Sequence, residues 1–307
     1  MKIPDEAREV ILRTQGENGK TFLDKLPQRL ENYTEKWKLS DCHFLTHSTN
    51  IIFVCKSAIY GDVVIKAGVP EDKRLLTEIS AIKFYNKNPH TCKLHDYSLE
   101  DGFSLFEKLT PGQPLIKAIA DPFKRVDVFL NIYKDYHLPC KDTDTYPTYA
   151  SLVDAFKVNL GGRFEKYKDV YTVLFKELSS EYKEKCLLHG DLQHYGNIIS
   201  HGKEFKVIDP HGIIGASIFD LSRYLTNELS HAMWENRDFG GDVVMYMSES
   251  LGLPIQVLYA LLVIDVTHHA GYHLGNPISE DRYMFNLRRC ELAYELYKSH
   301  KSFLNPI

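Results

Sequence analysis

The sequence contains no long apolar run. The longest, VLYALLVI at residues 257–264, ends at Asp265 and is far too short to cross a lipid bilayer. The N-terminal stretch MKIPDEAREVILRT carries early acidic residues and lacks the continuous apolar segment of a secretory signal peptide. We therefore expect a soluble, cytoplasmic protein that does not enter a membrane.

Positive charge of the kind that binds nucleic acids is also missing. The 37 Lys and Arg residues are outnumbered by 41 Asp and Glu residues, which gives a formal net charge of −4. Proteins that bind nucleic acids usually carry a clear excess of Lys and Arg, so we expect no nucleic-acid partner. No feature of the sequence indicates an oligomeric state.

Cysteine is sparse and scattered. The six cysteines are spread over 307 residues without a CxxC pair. A chain of this length can bury an apolar core large enough to fold without cross-links, and clustered cysteines are the usual mark of a disulfide-rich secreted domain. We expect no disulfide framework and a reduced protein.

The first third of the chain changes from a helical pattern to a β pattern. Residues 4–38 repeat apolar side chains at helical spacing on both sides of a Gly-containing break. The segments that follow are rich in β-branched and aromatic residues, which favour strands. They predict a three-stranded antiparallel meander, one helix and two further strands. The strands are predicted at 41–47, 50–61, 62–68, 93–99 and 103–109, and the helix at 71–87.

The rest of the chain is mostly helical. It begins with TPGQPL at 110–115, which has the composition of a linker. The sequence thus predicts an α+β fold with a helical extension at 1–39, a small antiparallel β lobe with one helix at 40–110, and a large, mainly helical lobe at 111–307. Lobes joined by a hinge commonly hold ligands between them. Helices are predicted at 116–138, 150–185, 218–233, 240–251, 255–274 and 280–302.

One segment of this second part departs from the helical pattern. LLHGDLQHYGNIISHGKEFKVIDPHG at 187–212 places two carboxylates and an amide, those of Asp191, Asn197 and Asp209, among apolar flanks. Oxygen ligands of this kind suit Mg²⁺, which usually takes one or two carboxylates and completes its shell with water and phosphate oxygens. Phosphoryl transfer needs such ligands, a carboxylate that orients the nucleophile, and a cation on the phosphates.

The cation is predicted upstream. Lys66 lies at the end of the strand DVVIKAG and points to the face opposite its two apolar neighbours, and Glu78 lies on the helix that follows. A strand lysine held by a helix glutamate is the arrangement that kinases use on phosphate oxygens. The position of this pair upstream of the Asp191 segment favours such a role over that of two solvated surface charges.

These motifs resemble the kinase-like phosphotransferases that inactivate antibiotics and phosphorylate small metabolites. The catalytic loop of that group reads H-G-D-x-x-x-x-N and is followed by a strand that ends in I-D. This chain has HGD at 189–191, then Asn197 and VID at 207–209. Within the group, IDPHGIIGASIFDLSRYLTNEL at 208–229 is most similar to the aminoglycoside/hydroxyurea antibiotic resistance kinase family, which includes streptomycin 6-phosphotransferases. The resemblance implies a bilobal protein-kinase-like fold.

The resemblance also implies a role for each matched residue. Asp191 would be the catalytic base that orients the acceptor hydroxyl. Asn197 and Asp209 would hold Mg²⁺ against the nucleotide phosphates. Lys66 would contact the α and β phosphates, with Glu78 fixing its side chain.

Two further elements would contact the nucleotide. The turn HSTN would cover the phosphates, with Ser48 and Thr49 as hydrogen-bond donors. The backbone around Glu107 and Leu109 would bind the adenine. ATP, or another nucleoside triphosphate, and Mg²⁺ are therefore the implied cofactors.

The catalytic loop departs from the family's spacing by one residue. The amide usually follows the aspartate by five positions, whereas Asn197 follows Asp191 by six. Gly196 can adopt dihedral angles closed to other residues, so a local bulge could still present the amide. The alternative hypothesis is a degraded metal site in a nucleotide-binding pseudokinase without turnover.

Several other polar residues are weaker candidates. Asp265 and His211 are predicted to contact the acceptor substrate. Asp220 opens a helix and reads most simply as its N-cap, although a similar aspartate in the family steadies the catalytic loop. His269 and His273 lie one helical turn apart, as metal ligands often do, but no matching carboxylate motif accompanies them.

The sequence therefore predicts an ATP- and Mg²⁺-dependent O-phosphotransferase that acts on a hydroxyl group of a small molecule. On the resemblance, an aminoglycoside of the streptomycin type is the leading acceptor. The alternatives are a kinase of a sugar, amine sugar or amino alcohol, and the pseudokinase. A protein kinase is disfavoured because no Ala-Pro-Glu segment is present and the interval from Asp209 to Asp220 is too short for an activation loop.

Overall fold

The chain folds into two compact units in the computed structural model. The structure describes residues 3–47, 49–235 and 237–301. Unit 1 comprises Met1–Gln113 and Ile199–Ile208, and unit 2 comprises Pro114–Ile198 and Asp209–Ile307.

An antiparallel sheet forms the centre of unit 1. Its strands are β1 (Leu39–His47), β2 (Ile51–Ser57), β3 (Gly61–Ala67), β4 (Leu94–Ser98) and β5 (Phe103–Glu107), with α2 (Lys73–Phe84) between β3 and β4. The strand order is β1-β2-β3-β5-β4. This confirms the predicted meander and the two strands after the helix. The apolar stripe of α2, formed by Leu75, Ile79 and Ile82, is buried.

Helix α1 (Asp5–Lys36) packs on one face of this sheet. Phe22 of the helix shares an apolar core with Phe53 and Phe103 of the strands. Gly16 has a φ of 55°, outside the helical region, and the helix kinks there, where the sequence predicted a break. The expected N-terminal extension is therefore part of the folding unit that contains the sheet.

A disulfide joins Cys42 of β1 to Cys55 of β2. This differs from the expectation that the chain contains no disulfide, which was based on the wide spacing of the cysteines. The hairpin formed by β1 and β2 brings the two residues together across the strands, with their Cα atoms 4.1 Å apart. The other four cysteines are buried thiols.

The segment predicted as a linker at 110–115 contains the point in the sequence where unit 1 ends and unit 2 begins, and it also forms a strand. β6 (Pro111–Pro114) follows a cis Thr110–Pro111 peptide and pairs with β8 (Ile198–His201), which pairs with β9 (Glu204–Val207). Proline cannot donate a hydrogen bond to a neighbouring strand, which confines it to edge strands, and β6 lies at the edge of this sheet. Linkers and proline-rich edge strands share the same composition, so composition alone does not distinguish them.

Unit 2 is built around a helix that is buried on nearly every side. The helices are α3 (Leu115–Ala118), α4 (Pro122–Tyr136), α5 (Tyr149–Lys157), α6 (Glu165–Glu181), α7 (Ile218–Glu235), α8 (Arg237–Leu251), α9 (Ile255–Leu274) and α10 (Glu280–Lys301), and two short antiparallel strands are β7 (Cys186–Leu188) and β10 (Ile213–Gly215). The central helix is α9, in which Leu258 to Gly271 are almost all buried, and it packs against α10, α7 and α6. Within the described residues no single helix is long and apolar enough to span a membrane, and α8 and α9 meet that test only as a pair bent by 116°.

Two of the predicted helices are each divided. The helix expected at 116–138 is split into α3 and α4, because Asp121 caps a new N-terminus by accepting the N–H of Phe123. The helix expected at 150–185 is split into α5 and α6 around Gly162, which has a φ of 57°. Both breaks occur at residues that favour helix ends.

Candidate active site

The loop at 189–197 connects β7 to β8 and is held in place by Asp220 of α7. The Asp220 carboxylate accepts the backbone N–H groups of His189 and Gly190, both at 2.8 Å, and lies 2.8 Å from Nε2 of His137. Asp220 is only 1% exposed. It lies inside α7 rather than at the predicted N-cap, and its carboxylate steadies the loop as the resemblance implied.

The surroundings of Asp220 favour its charged form. Burial by itself would raise the pKa of Asp220, but the hydrogen bond and charge of His137, together with the Gly190 N–H, bring the pKa below its usual value. Gly190 itself has a φ of 81°, and a Cβ there would lie 2.6 Å from Ile213. Glycine is thus required at the position just before Asp191.

The longer loop still brings Asn197 against Asp191. Nδ2 of Asn197 donates to the backbone carbonyl of Asp191 at 2.8 Å and to its carboxylate Oδ2 at 2.9 Å. The additional residue is accommodated in a turn whose N–H groups, on Tyr195 and Gly196, donate to Oε1 of Gln193. The Gln193 side chain, rather than a positive φ at Gly196, closes this turn.

The other oxygen of the Asp191 carboxylate binds an arginine that was not predicted. Nε of Arg223, on α7, donates to Asp191 Oδ1 at 2.6 Å. Nη1 of the same arginine lies 3.6 Å from Oδ2 of Asp265 on α9, and Nε2 of His269 lies 3.4 Å from Oδ1 of Asp265. The predicted base therefore belongs to a network of ion pairs that extends through α7 to α9.

Asp265 lies behind Arg223 in this network. It is 2% exposed. Burial by itself would raise the pKa of Asp265, but its interactions with His269, Arg223 and Arg289 hold this pKa well below its usual range. Its carboxylate is ionised and already paired, so in this structure it does not present an open contact for a cationic acceptor.

Asp209 follows β9 in a constrained backbone conformation. Its φ is 62°, in the left-handed region, which costs a residue other than glycine about 1–3 kcal/mol and is common at functional sites. Asp209 and His211 are both exposed. The N–H of His211 donates to the carbonyl of His189 at 2.7 Å, which ties the segment after Asp209 to the catalytic loop.

Asn197 and Asp209 supply the donor atoms that Mg²⁺ prefers. Because Nδ2 of Asn197 faces Asp191, its Oδ1 is the oxygen left for another ligand, and no hydrogen bond engages it among the described residues. An amide oxygen and a carboxylate are hard donors that suit Mg²⁺ together with phosphate oxygens. No group of three or more His, Cys, Asp and Glu that could hold a metal by itself occurs in the described part of the chain, which is compatible with a metal that takes few protein ligands.

In unit 1, Lys66 and Glu78 form the predicted pair. Nζ of Lys66 lies 2.6 Å from Oε2 of Glu78, and both residues are buried. Lys66 leaves β3 on the face opposite the core residues Ile65 and Ala67. The strand period and the helix that follows thus bring the two charges together as the sequence predicted.

The remaining predicted nucleotide contacts are partly described. Ser48 lies outside the described residues, and Thr49 lies in the turn between β1 and β2. The carboxylate of Glu107 accepts from Nζ of Lys206 and from the N–H of Lys93. Leu109 packs against an apolar cluster of unit 1 with other side chains that are buried or partly buried. These are Val64, Ile82, Cys92, Leu94, Phe106 and Ile208.

The histidine pair on α9 has other partners than a metal. Nδ1 of His273 lies 3.3 Å from Oδ1 of Asn286, and Nε2 lies 3.0 Å from Nη2 of Arg282. His269 faces Asp265 instead. The helical spacing of the two histidines thus reflects packing between α9 and α10.

Sequence reasoning did not identify Arg223. A signal was present, because Arg223 lies three residues after Asp220, which places both side chains on one helix face. Asp220 was interpreted mainly as a helix cap. A contact between the loop and Arg223, one turn further along α7, was therefore not predicted.

One segment of the chain is similar to a known family. Residues 149–239, which include the catalytic loop, Asp209 and Arg223, match the family model described as aminoglycoside/hydroxyurea antibiotic resistance kinase. The streptomycin 3''-kinase of Klebsiella pneumoniae is 40% identical over 53 residues, which are 17% of this chain and 20% of that relative. The curated relative is thus matched over about a fifth of its length.

Solved structures resemble the chain over most of its length. A choline kinase from Streptococcus pneumoniae has a TM-score of 0.63 at 13% identity, over 90% of this chain and 99% of that one. Amicoumacin kinase in complex with AMP-PNP, Ca²⁺ and Ami has a TM-score of 0.65 at 14% identity, over 92% and 96%. These likenesses confirm the protein-kinase-like α+β fold, with an antiparallel β lobe and a helical lobe. The likeness to the aminoglycoside/hydroxyurea antibiotic resistance kinase family is limited to residues 149–239, less than a third of the chain.

Proposed function

We propose that this protein is an ATP- and Mg²⁺-dependent phosphotransferase that acts on a hydroxyl group of a small molecule. The observation that carries the proposal is the Asp191 carboxylate, whose two oxygens are fixed by Arg223 and Asn197 on a loop that Asp220 holds. A carboxylate fixed in this way is suited to accept a proton from an acceptor hydroxyl. The match to a kinase family supports the proposal.

The reaction follows from the position of Asp191. The acceptor hydroxyl gives its proton to the Asp191 carboxylate while its oxygen bonds to the γ-phosphorus of ATP. The bond from that phosphorus to the bridging oxygen breaks, and ADP leaves. Asn197 Oδ1 and the Asp209 carboxylate would hold Mg²⁺, which supplies positive charge to the phosphate oxygens. Asn197 thereby serves twice, since its Nδ2 orients the base.

The residues of unit 1 would bind the nucleotide. The buried Lys66–Glu78 pair would neutralise phosphate oxygens, and the turn that contains Thr49 would cover them. Leu109 and Ile208, at the edge of the apolar cluster, would contact the adenine. Amicoumacin kinase, which shares the fold, binds the ATP analogue AMP-PNP, and a cytoplasmic location would supply ATP.

Two classes of acceptor remain as candidates. An aminoglycoside of the streptomycin type is supported by the family model and by the streptomycin 3''-kinase relative. A hydroxylated metabolite is favoured by the side chains beside Asp191, because the neighbouring carboxylate of Asp265 is buried behind Arg223. A polycationic acceptor generally requires exposed carboxylates in its site.

The test is release of ADP from ATP and Mg²⁺ by the purified protein, with a panel of aminoglycosides, sugars, amino alcohols and hydroxy acids. We expect one class to stimulate release and Asp191→Asn to abolish it while AMP-PNP still binds. Asp169→Asn, on the exposed face of α6, serves as the matched control. AMP-PNP binding without stimulated release by any acceptor would contradict the proposal and favour the pseudokinase.

A further inference from the structure

The side chains around the network that holds Asp191 carry an excess of positive charge. Helices α9 and α10 pack side by side, and polar residues line the seam between them. We use the name α9–α10 seam for a set of polar residues on these two helices. They are Asp265, His269 and His273 of α9 and Arg282, Asn286 and Arg289 of α10. Arg223 connects this seam to Asp191.

The charges of the described side chains in this region do not cancel. Arg223 is shared by Asp191 and Asp265, so both carboxylates are already paired. Burial, followed by the charge of Arg282, lowers the pKa of His273 to about 4, and burial, followed by Arg223, also lowers the pKa of His269. Both imidazoles are therefore neutral at neutral pH, which leaves the guanidinium groups of the seam in excess.

Arg289 is one of these uncompensated groups. It has no carboxylate within ion-pair distance among the described residues, and its guanidinium lies over the ring of Phe285 at 5.4 Å. Burial lowers the pKa of Arg289, and the charge of Arg223 acts in the same direction, whereas Asp265 opposes both. A half-buried guanidinium next to another one is costly unless an anion joins them.

Asn286 provides a second, independent observation. It is 2% exposed, and its Oδ1 lies near His273, yet its Nδ2 is buried and has no hydrogen-bond partner among the described residues. An unsatisfied buried donor destabilises the folded protein. Asn286 lies one helical turn from Arg289, so the two donors share one face of α10.

We infer that the acceptor binds through an anionic group, a carboxylate or a phosphate, to Arg289 and Asn286, and presents its hydroxyl to Asp191. The inference rests on the proposed phosphotransferase function. An oxygen anion would accept from Asn286 Nδ2 and balance the charge of Arg289. A polycationic aminoglycoside would instead meet like charges in the seam.

Binding can be measured without turnover. Inorganic phosphate and D-glucuronate, which distinguish a phosphate from a carboxylate ligand, are each titrated calorimetrically into protein saturated with AMP-PNP and Mg²⁺. We expect Arg289→Gln to weaken binding of at least one probe by about tenfold or more, the effect of a lost charged hydrogen bond. Arg289→Lys, which keeps the charge, should recover part of that affinity.

The matched control is Arg288→Gln. Arg288 is the exposed neighbour on the same helix, and its removal should change the affinity by no more than about twofold. Circular dichroism establishes that each variant is folded. Equal weakening by the two glutamine variants, or no saturable binding of either probe to the wild-type protein, would overturn the inference.

The charge preference is tested with three related acceptors. D-Glucuronate, D-glucose and D-glucosamine share a hydroxylated ring and are anionic, neutral and cationic. We expect ADP release to be fastest with glucuronate and slowest with glucosamine, and Arg289→Gln to remove the ranking. The opposite ranking would contradict the inference. Arg289-dependent anion binding without ADP release by any acceptor would contradict the phosphotransferase proposal and leave the anion site standing.

Discussion

The Lys66–Glu78 pair of unit 1 and the Arg223 network of unit 2 hold buried charges in different ways. In unit 1, Lys66 and Glu78 form one close pair at 2.6 Å. In unit 2, Arg223 is shared between Asp191 and Asp265, and His269 approaches the far side of Asp265. The first arrangement joins two neighbouring elements, β3 and α2, whereas the second joins the catalytic loop to two long helices.

This difference determines how each region responds to substitution. When one member of a close buried pair is removed, the other loses its nearest opposite charge, so we expect the two residues to act as a unit. The members of a network couple over several elements. One substitution removes the Lys66–Glu78 contact, whereas one substitution at Arg223 alters contacts on several elements. The predictions below test that contrast, from the largest effect to the smallest.

Asp191→Asn should have the largest effect, because it removes the proposed proton acceptor from the network. We expect kcat to fall by about 10³-fold, within the range for a general base, which corresponds to about 4 kcal/mol of activation free energy. The measurement is steady-state release of ADP with the best acceptor of the panel. AMP-PNP affinity should change little, since Asp191 is not predicted to bind the nucleotide. A comparable loss in Asp169→Asn would show that the effect is not specific to the base.

Arg223→Gln should weaken the network itself. It leaves the buried Asp265 carboxylate without its bridge to Asp191, and we expect the free energy of unfolding to fall by about 3 kcal/mol, as when one partner of a buried ion pair is removed. Adding Asp265→Asn should restore part of the loss, with a coupling of about 1–2 kcal/mol between the two sites. Urea unfolding of the two single variants and the double variant measures this.

The control for Arg223→Gln is Arg288→Gln, which should change the free energy of unfolding by no more than about 0.5 kcal/mol. Strict additivity of the Arg223 and Asp265 substitutions would contradict the existence of the network. It would also remove the structural basis for treating α9 as a support of the catalytic loop.

The contrast between the units also explains what could be predicted from the sequence. Lys66 and Glu78 were predicted because the period of a strand and the helix after it bring neighbouring segments together. Asp191, Asn197 and Asp209 were predicted because their chemistry lies in one short segment. Local patterns of this kind are sufficient where the contacts are local.

The parts that could not be predicted depend on packing between distant elements. Arg223 meets Asp265 only because α7 and α9 pack together, and no spacing in the sequence reports that contact. Cys42 and Cys55 meet through the register of a hairpin. The strand at 111–114 was not predicted, because proline and glycine are typical of linkers as well as of edge strands.

Lys66→Met should break the Lys66–Glu78 pair. We expect kcat/KM for ATP to fall by about 10²-fold, the effect of removing one preorganised group that stabilises a developing charge. Glu78→Gln should have a smaller effect because Lys66 remains. If the two residues act as a unit, the double variant should lose no more than Lys66→Met alone. A double variant that loses the sum of both effects would show that the pair is not a unit, and Lys56→Met, on an exposed lysine of β2, is the control.

His268→Gln tests how the network region responds to acid. The His268 ring lies under His269, its Nδ1 is 2.7 Å from the hydroxyl of Tyr171, and burial lowers its pKa to about 3, aided by His269. In the unfolded chain His268 binds a proton below its ordinary pKa of about 6.5, whereas in the folded chain it does so only below about pH 3. Stability is therefore lost as the pH falls between these two pKa values.

At about pH 5 the loss due to His268 should reach about 2 kcal/mol, since each pKa unit is worth about 1.4 kcal/mol. The His268→Gln variant cannot take up this proton. Between about pH 7 and pH 5 its free energy of unfolding should therefore fall by about 2 kcal/mol less than that of the wild-type protein. Urea unfolding at the two pH values measures the difference, and His43→Gln, on an exposed histidine of β1, should keep the wild-type slope. An unchanged slope in His268→Gln would show that His268 takes up its proton in the folded protein. The aromatic residues around His268 would then tolerate a positive charge on its ring.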